Sequence, residues 1–460
     1  MTSNESLVMM SDEIRLLEAQ LNDFDPSVRA RALTDLLTLA RTGEITLPEP
    51  AEVANLHCHT FFSYNGYGYS PTALAWLAKR EGYKLMGIVD FDVLDAVDEF
   101  LEACDRVALR GTAGMETRAY VPEFAAREIN SPGEPGITYH MGIGFVAGRV
   151  PEGETRAAGL LAEMRRRAAD RNREMLERVN AYLDPVTIDY DRDVLPLTPA
   201  GNATERHMCA AYVRAADELA HDPVDFWSAK LNLPRERVAA VIDRGPQIQN
   251  LVRAGLMKRG GVGYVQPGPD TFPTVEEVNA VITACGALPT ITWLDGTSEG
   301  ERAAEELFGL MMDQGAVALN IVPDRNWNIA DPQTKERKLQ ALYDVVDLAR
   351  SLDLPINVGT EMNAYGAPLI DQFDAPELAP VRDAFLDGAY TIYGHTMLAR
   401  ALDLGYLSDW ATHHFPSRGD RNRFYATVGR SIAPGPAGLD VLRALGHEPL
   451  PEMVLTALDH

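Results

Sequence analysis

The sequence predicts an α/β fold in which strands and helices alternate around a barrel. Short apolar runs separated by helical segments recur in two blocks, at 51–150 and 271–396. This rhythm is typical of parallel strands joined by helices. Several of the runs also end in a histidine or a carboxylate, as expected of a barrel whose site lies at the ends of its strands.

Composition and periodicity divide the chain into five segments. We predict an N-terminal helical extension at 1–50, the first part of the barrel at 51–150 and a helical insert at 151–270 over the barrel mouth. The second part of the barrel follows at 271–396, and a C-terminal helical extension occupies 397–460. The predicted strands are 53–58, 85–89, one ending at Gly114-Met115-Glu116, 137–146, 288–293, 315–322, 355–361 and 389–393.

The charge balance limits the classes of partner. The 460 residues include 42 Lys and Arg against 67 Asp and Glu, which gives a formal net charge of −25. This argues against a nucleic-acid backbone or an anionic membrane as the main partner. It does not exclude a small anionic substrate, because a metal ion and a few arginines can reverse the local sign. We therefore expect a small-molecule substrate, and a homo-oligomer is compatible with the sequence.

The spacing of the cysteines and the hydropathy of the chain predict its cellular compartment. The four cysteines have no paired spacing, which favours reduced thiols. The first residues lack the apolar run of a signal peptide, and no stretch reaches the roughly 20 apolar residues that span a membrane. We expect a cytoplasmic protein.

His57 and His59 lie one residue apart at the end of the first predicted strand, so both face the same side. Later strands end at Glu116 and at Glu361. Two neutral imidazoles and two carboxylates suit Zn²⁺, Mn²⁺ or Fe²⁺ and leave positions open for water or substrate. The alternative is that these histidines and carboxylates are structural and satisfy one another.

The order of these motifs resembles the PHP (polymerase and histidinol phosphatase) superfamily over about 51–395. The matching stretches are Asn55-Leu56-His57-Cys58-His59-Thr60, Ile88-Val89-Asp90-Phe91-Asp92, Gly114-Met115-Glu116, Tyr139-His140 and Val358-Gly359-Thr360-Glu361-Met362-Asn363. The insert resembles that of the nucleotide-phosphatase branch, in which an element similar to Arg206-His207 opens a helix. This resemblance implies a distorted TIM-like (β/α)7 barrel that binds divalent metals. It also implies hydrolysis of phosphate esters by metal-activated water.

Several metal ligands of the family are replaced. Phe91, Trp293 and Asn363 stand where the family has histidines. The resemblance leaves a ligand set of His57, His59, Glu116 and Glu361, to which His140 could add a second position or be a core histidine. It implies one tightly bound ion rather than three.

Other residues are candidates for catalysis or substrate binding. Asp90 could be a general base or orient a ligand, or it could cap the next helix. His395 follows a predicted late strand and could replace a lost ligand or act on the substrate. Arg118 and Arg206-His207 could hold a substrate anion, although a charged helix start is commonly only solvated.

The leading hypothesis is a metal-dependent hydrolase of the PHP superfamily that acts on a small, phosphorylated substrate by metal-activated water. One alternative is a mononuclear metalloenzyme of another reaction class, with amide, lactone or sugar-acid chemistry. A second alternative is a catalytically inactive PHP-like binding module. The replaced ligands keep both alternatives open.

Overall fold

The computed structural model describes residues 3–268 and 270–458. In these residues seven strands form one sheet in chain order. The strands are β1 (Ala51–Cys58), β2 (Tyr83–Phe91), β3 (Arg110–Tyr120), β4 (Ile137–Ile143), β5 (Leu288–Trp293), β6 (Ala318–Ile321) and β7 (Ile356–Val358). A parallel bridge between Cys58 and Glu361 brings the two edges together, so the sheet is a nearly closed barrel surrounded by helices. The predicted α/β barrel class is confirmed.

One strand of the barrel runs against the others. β4 pairs antiparallel with β3 and with β5, whereas the remaining pairs are parallel. The expectation of uniformly parallel strands was wrong at this position. The register places His140 opposite Thr117 and Met141 opposite Glu116. Because directly opposed residues share a face of the sheet, the side chain of His140 lies on the other face from that of Glu116.

Helices surround the barrel and form both extensions and the insert. Their bounds are α1 (Ser3–Gln20), α2 (Pro26–Arg41), α3 (Pro71–Arg80), α4 (Val97–Val107), α5 (Thr155–Leu183), α6 (Glu205–Leu219), α7 (Pro223–Leu231), α8 (Arg235–Ala239), α9 (Gly245–Val252), α10 (Val275–Ala284), α11 (Glu299–Arg302), α12 (Ala304–Asp313), α13 (Asp324–Trp327), α14 (Pro332–Ser351), α15 (Arg382–Leu402), α16 (Asp409–His414), α17 (Arg418–Ser431), α18 (Pro436–Arg443) and α19 (Pro451–Leu458). Short 3₁₀ turns lie at Pro122–Phe124 and Leu195–Leu197, and π-helical turns at Tyr190–Val194 and Arg253–Met257. In the described part of the chain, no helix is long and apolar enough to cross a membrane.

The insert has a hydrophobic core of its own. The second half of α5 packs with α6, α7 and α9 around buried side chains that include Val179, Tyr212 and Trp227. The barrel and both extensions share the main core, to which Met164 in the first half of α5 also belongs. The five segment boundaries stay predictions. Residues 1, 2, 269, 459 and 460 of these segments lie outside the described residues.

The predicted strand at 389–393 is wrong, because these residues lie inside α15, which also crosses the predicted boundary at 396. The run Thr391-Ile392-Tyr393 is β-branched and aromatic, as strands are. Packing against α17 nevertheless favours a helix over a strand at these residues. A Cβ at Gly394 would lie 2.0 Å from the carbonyl oxygen of Tyr425 in α17, so glycine is what permits the two helices to approach.

We expect Gly394→Ala to destabilise the protein by about 1–3 kcal/mol, because the added methyl group forces α15 and α17 apart. The matched control is Gly309→Ala in α12, where an added Cβ meets no atom within 4 Å. Helix propensity alone should make that variant more stable by about 0.5–1 kcal/mol. Thermal unfolding followed by circular dichroism measures both. Equal behaviour of the two variants would contradict the close helix contact.

Candidate metal centre

Three buried ligand atoms meet at the level where β1 and β2 end, and Glu116 lies inside β3, opposite Phe91. Nε2 of His59 lies 3.3 Å and Nε2 of His57 lies 3.7 Å from the same carboxylate oxygen of Glu116. The three side chains are 0–3% exposed. Their ligand atoms all lie within 4.8 Å of one another. The structure thus assembles three of the predicted metal ligands.

The ring of His59 is oriented by a hydrogen-bonded chain. Nδ1 of His59 lies 3.1 Å from Oγ of Ser63, whose hydroxyl donates to Asp90 at 2.5 Å. Since that hydroxyl has only one hydrogen, Oγ of Ser63 accepts from His59, and the proton of the neutral ring is on Nδ1. Nε2 of His59 therefore faces Glu116 with a free lone pair.

His57 is held in the same tautomer from the opposite side. Its Nδ1 lies 3.2 Å from Oδ1 of Asn320 on β6. That oxygen also accepts from Nδ2 of Asn357 on β7 at 2.9 Å, which identifies it as the carbonyl end of the amide. His57 must donate from Nδ1, and its Nε2 also carries a lone pair. A ligand histidine that donates its other N–H to an oxygen is the usual arrangement at metal sites.

The donor set fits a divalent metal ion. Both Nε2 atoms are buried and form no hydrogen bond within the described residues. Two nitrogen lone pairs and a carboxylate oxygen that face one another repel, and a cation between them removes the repulsion. Ligands at ~2.0–2.1 Å from a tetrahedral ion are ~3.3 Å apart, close to the separations found here. His57, His59 and Glu116 would hold such an ion.

The electrostatics of the cluster reflect its burial. With no ion bound, protonation of an imidazole is the other way to relieve the repulsion. Burial alone would raise the pKa of Glu116, but the protonated forms of His57 and His59 outweigh it and hold the pKa at about 2. Burial would lower the pKa of His57, and the neighbouring Glu116 outweighs that effect and raises it. The ring of Phe91 stacks on His59 with centroids 4.5 Å apart. A position that is a histidine in the resembled family is thus an apolar wall.

Glu361 lies beside the cluster but faces another partner. Its amide donates to the carbonyl of His57 at 2.7 Å, and its own carbonyl accepts from the amide of His59 at 2.8 Å. These bonds hold it in a left-handed conformation, with φ of 62°. Its carboxylate accepts from Arg325 at 2.9 Å and from Asn363 at 3.1 Å. The ion pair with Arg325 competes with any role as a fourth ligand.

A cavity of about 620 Å³ lies between the barrel mouth and the insert. Glu116, Glu361 and Arg325 lie on its barrel side, and residues of α5 and α6 lie on the insert side. The described lining contains seven cationic side chains and five carboxylates. The cations are Arg118, Arg171, Arg206, Arg253, Lys258, Arg259 and Arg325, and the carboxylates are Asp92, Glu116, Glu134, Glu205 and Glu361. The cavity is therefore locally basic in a chain of net charge −25.

The predicted anion-binding residues have different positions. Arg118 lines the cavity and pairs with Glu134 at 3.0 Å. Arg206 also lines it, donates to Asn250 and lies over the ring of Tyr64. The side chain of His207 accepts from the amide of Thr204 at 3.0 Å and so caps its own helix. Among the described lining residues His207 is not found.

Two predicted site histidines are not brought to the cluster. Nε2 of His140 bonds to Asn279 of α10 at 2.6 Å, on the face of the sheet away from Glu116. His395 is buried inside α15, where Nε2 faces the carbonyl of Gly144 and Nδ1 accepts from the amide of Tyr406. Both are core histidines, and burial lowers the pKa of each to about 4.

Asp90 acts through its neighbours and does not face the cavity. It is 1% exposed and accepts from the amide and hydroxyl of Thr60, at 2.8 and 2.7 Å, as well as from Ser63. The catalytic role predicted for it is replaced by a positioning role, which was the alternative considered. Asp92, two residues later, is the carboxylate of this pair that lines the cavity.

Several residues of the site escaped the sequence analysis. Asn320 orients the imidazole of His57, and Arg325 is the cation beside Glu361. Arg325 follows the end of β6, so the rule that barrel sites collect at strand ends would have pointed to it. Asn320 lies within a strand as an isolated polar residue in an apolar run, which is a usable signal. Arg171 lies in a helix rich in arginine, and its position could not be singled out from the others.

Comparisons with known proteins give a limited result. No protein-family model matches the chain, and no curated protein matches it. An amidohydrolase from Chromobacterium violaceum, solved with sulfate and no metal, is 15% identical with a TM-score of 0.47, covering 72% of this chain and 96% of that one. A protein provisionally described as a metal-dependent phosphoesterase from Bifidobacterium adolescentis is 20% identical with a TM-score of 0.44, covering 73% and 98%. We therefore base the function on the geometry of this chain's own site.

Asp90→Asn should weaken divalent metal binding by about 10–100-fold, because the amide no longer fixes the direction of the Ser63 hydroxyl and the tautomer of His59 is lost. Metal affinity measured by competition with a chelating dye tests this. Asp35→Asn, on the exposed face of α2, is the control and should bind metal as the wild type does. Unchanged affinity in Asp90→Asn would remove Asp90 from the support of the site.

Replacing His57 or His59 with Ala should abolish tight metal binding, since only two of the three converging ligands remain. Elemental analysis and thermal unfolding on the same samples separate this role from a structural one. A purely structural histidine would cost about 1–3 kcal/mol of stability with metal content unchanged. Full metal retention in both variants would contradict the ligand assignment.

Proposed function

We propose that this protein is a metal-dependent hydrolase of the PHP superfamily that uses one tightly bound divalent ion to hydrolyse a small phosphate ester. The observation that carries the proposal is the buried convergence of His57, His59 and Glu116, with both Nε2 atoms unbonded, next to a basic cavity that Glu116 lines. A Lewis-acidic ion in such a site polarises the reacting group and lets water act as nucleophile near neutral pH.

The cavity supports an anionic substrate. Seven cations against five carboxylates give an excess of positive charge where the chain as a whole is strongly acidic. Guanidinium groups match phosphate oxygens with paired hydrogen bonds, and six of the seven cations are arginines. A neutral substrate would leave this charge uncompensated.

The residues around the floor have complementary roles in this proposal. Arg325 lies next to the ligand cluster and would hold the anionic reacting group with its free N–H groups. Phe91 closes the side of the cluster next to His59 and excludes water from it. Ser63, Asp90 and Asn320 keep both imidazoles in the tautomer that presents Nε2. The insert covers the mouth and limits substrate size.

The test is hydrolysis by metal-loaded protein across a panel of phosphate monoesters and diesters, amides, lactones and sugar acids. The proposal requires phosphate release that depends on added Zn²⁺, Mn²⁺ or Fe²⁺ and is lost in His59→Ala. Hydrolysis of amides or lactones alone would instead establish the other reaction class. Failure to bind any metal after supplementation would leave the non-catalytic binding module.

Arg206→Ala should raise KM or lower kcat/KM for the substrate while metal content stays the same, because Arg206 lines the cavity on the insert side. Steady-state kinetics with elemental analysis measure both. Arg214→Ala is the matched control, since Arg214 lies on the same helix, is exposed and bonds to the backbone of Asp193. Kinetics like those of the control would exclude Arg206 from substrate binding.

A further inference from the structure

Arg171 is a cation without a counter-ion in the cavity wall. It lies on α5 of the insert and lines the cavity. Within the described residues its guanidinium forms no hydrogen bond and no ion pair, and its recorded contact is with the ring of Phe272, whose centroid is 5.2 Å away. The guanidinium of Arg118 lies over the same ring at 4.4 Å.

Three carboxylates act on Arg171 electrostatically, and none of them forms an ion pair with it. Asp92 accepts from the hydroxyl of Thr117 at 2.6 Å. Glu205 pairs with both Arg253 and Lys258, at 2.9 and 2.8 Å.

The third nearby carboxylate is equally engaged. Glu134 accepts from Arg118 at 3.0 Å, from Ser131 at 2.7 Å and from Tyr264 at 2.9 Å. Among the described residues Arg171 thus forms no ion pair. Glu134 and Glu205 pair with other cations, and Asp92, which bonds to a neutral hydroxyl, acts on Arg171 from beyond 4 Å.

An unpaired cation in this position is costly. Burial, with a smaller contribution from the like charge of Arg118, lowers the pKa of Arg171 to about 10, so the side chain is still charged at neutral pH. A partly buried charge without a partner destabilises a fold, whereas a ligand that pairs with it recovers the loss as binding free energy. Arg325, by contrast, already pairs with Glu361.

We infer that Arg171, together with Arg118, forms a second anion subsite that binds a phosphate or carboxylate group of the substrate other than the group that reacts at the barrel floor. The subsite joins the insert to the barrel, because Arg171 belongs to α5 and Arg118 to β3. This inference rests on the proposed function and narrows it. The substrate class is a small molecule that carries two separate anionic groups.

The test is calorimetric binding of three sets of compounds to the full-length protein, with metal and after chelation. The sets are α,ω-alkylbisphosphonates of increasing chain length, ω-carboxyalkylphosphonates and simple alkylphosphonates, whose C–P bonds resist hydrolysis. We expect a two-anion compound of suitable length to bind the wild type more tightly than the matching alkylphosphonate. If the tightest-binding compound is a bisphosphonate, the second group is a phosphate. If it is a carboxyalkylphosphonate, the second group is a carboxylate.

Arg171→Gln should reduce the affinity for that two-anion compound by about 10–100-fold, which is the loss of charge-assisted hydrogen bonds, and should leave alkylphosphonate binding unchanged. Arg171→Lys should recover part of the preference. The matched control is Arg166→Gln on the same helix, where Arg166 is 60% exposed and pairs with Glu163. It should bind both compounds as the wild type does.

Unfolding of the ligand-free variants provides a second readout. Arg171→Gln should unfold at the wild-type temperature or above it, because the substitution removes an unpaired charge. Equal binding of one-anion and two-anion compounds by the wild type, or an unchanged preference in Arg171→Gln, would overturn the subsite, as would a lower unfolding temperature. A two-anion preference in a protein that binds no metal after supplementation and releases no phosphate from any ester of the panel would support the subsite and refute the proposed function.

Discussion

The site depends on one constraint. Two imidazole nitrogens and a carboxylate oxygen face one another in a space closed to solvent. The hydrogen-bonded chain from Asp90 through Ser63, and the amide of Asn320, direct the proton of each ring away from the centre. Without these partners each ring could turn or change tautomer and relieve the repulsion. The surrounding barrel thus maintains an arrangement whose repulsion a bound metal ion or a proton relieves.

The same principle extends to the cavity above the floor. Most of its charged groups neutralise one another, as Glu205 does with Arg253 and Lys258. Among the described residues Arg171 forms no ion pair, and one nitrogen of Arg325 pairs with Glu361. The insert supplies several of these cations on a hydrophobic core separate from that of the barrel. Positive charge is therefore concentrated where the two parts meet, although the chain as a whole has a net charge of −25.

Two features of the fold keep His140 and His395 away from the metal cluster, although the sequence had made both of them plausible site residues. The reversal of β4 turns His140 away from Glu116 and brings Tyr139, on the inner face, to the cavity. The helical state of α15 buries His395 between the backbone groups of Gly144 and Tyr406. Neither histidine lacks a role, because each satisfies polar groups that would otherwise be unpaired in the core.

The sequence by itself determined the α/β class and the two blocks of the barrel, which depend on local periodicity that a chain carries in its own residues. It also singled out His57, His59 and Glu116, which the structure brings together, although Glu116 lies inside β3 and not at the strand end that the sequence predicted. Only the tertiary structure decided the direction of β4, the helix at Arg382–Leu402 and the pairing of Glu361 with Arg325. Strand direction, close helix contacts and the assignment of charges to partners depend on residues far apart in the chain, so no local pattern encodes them.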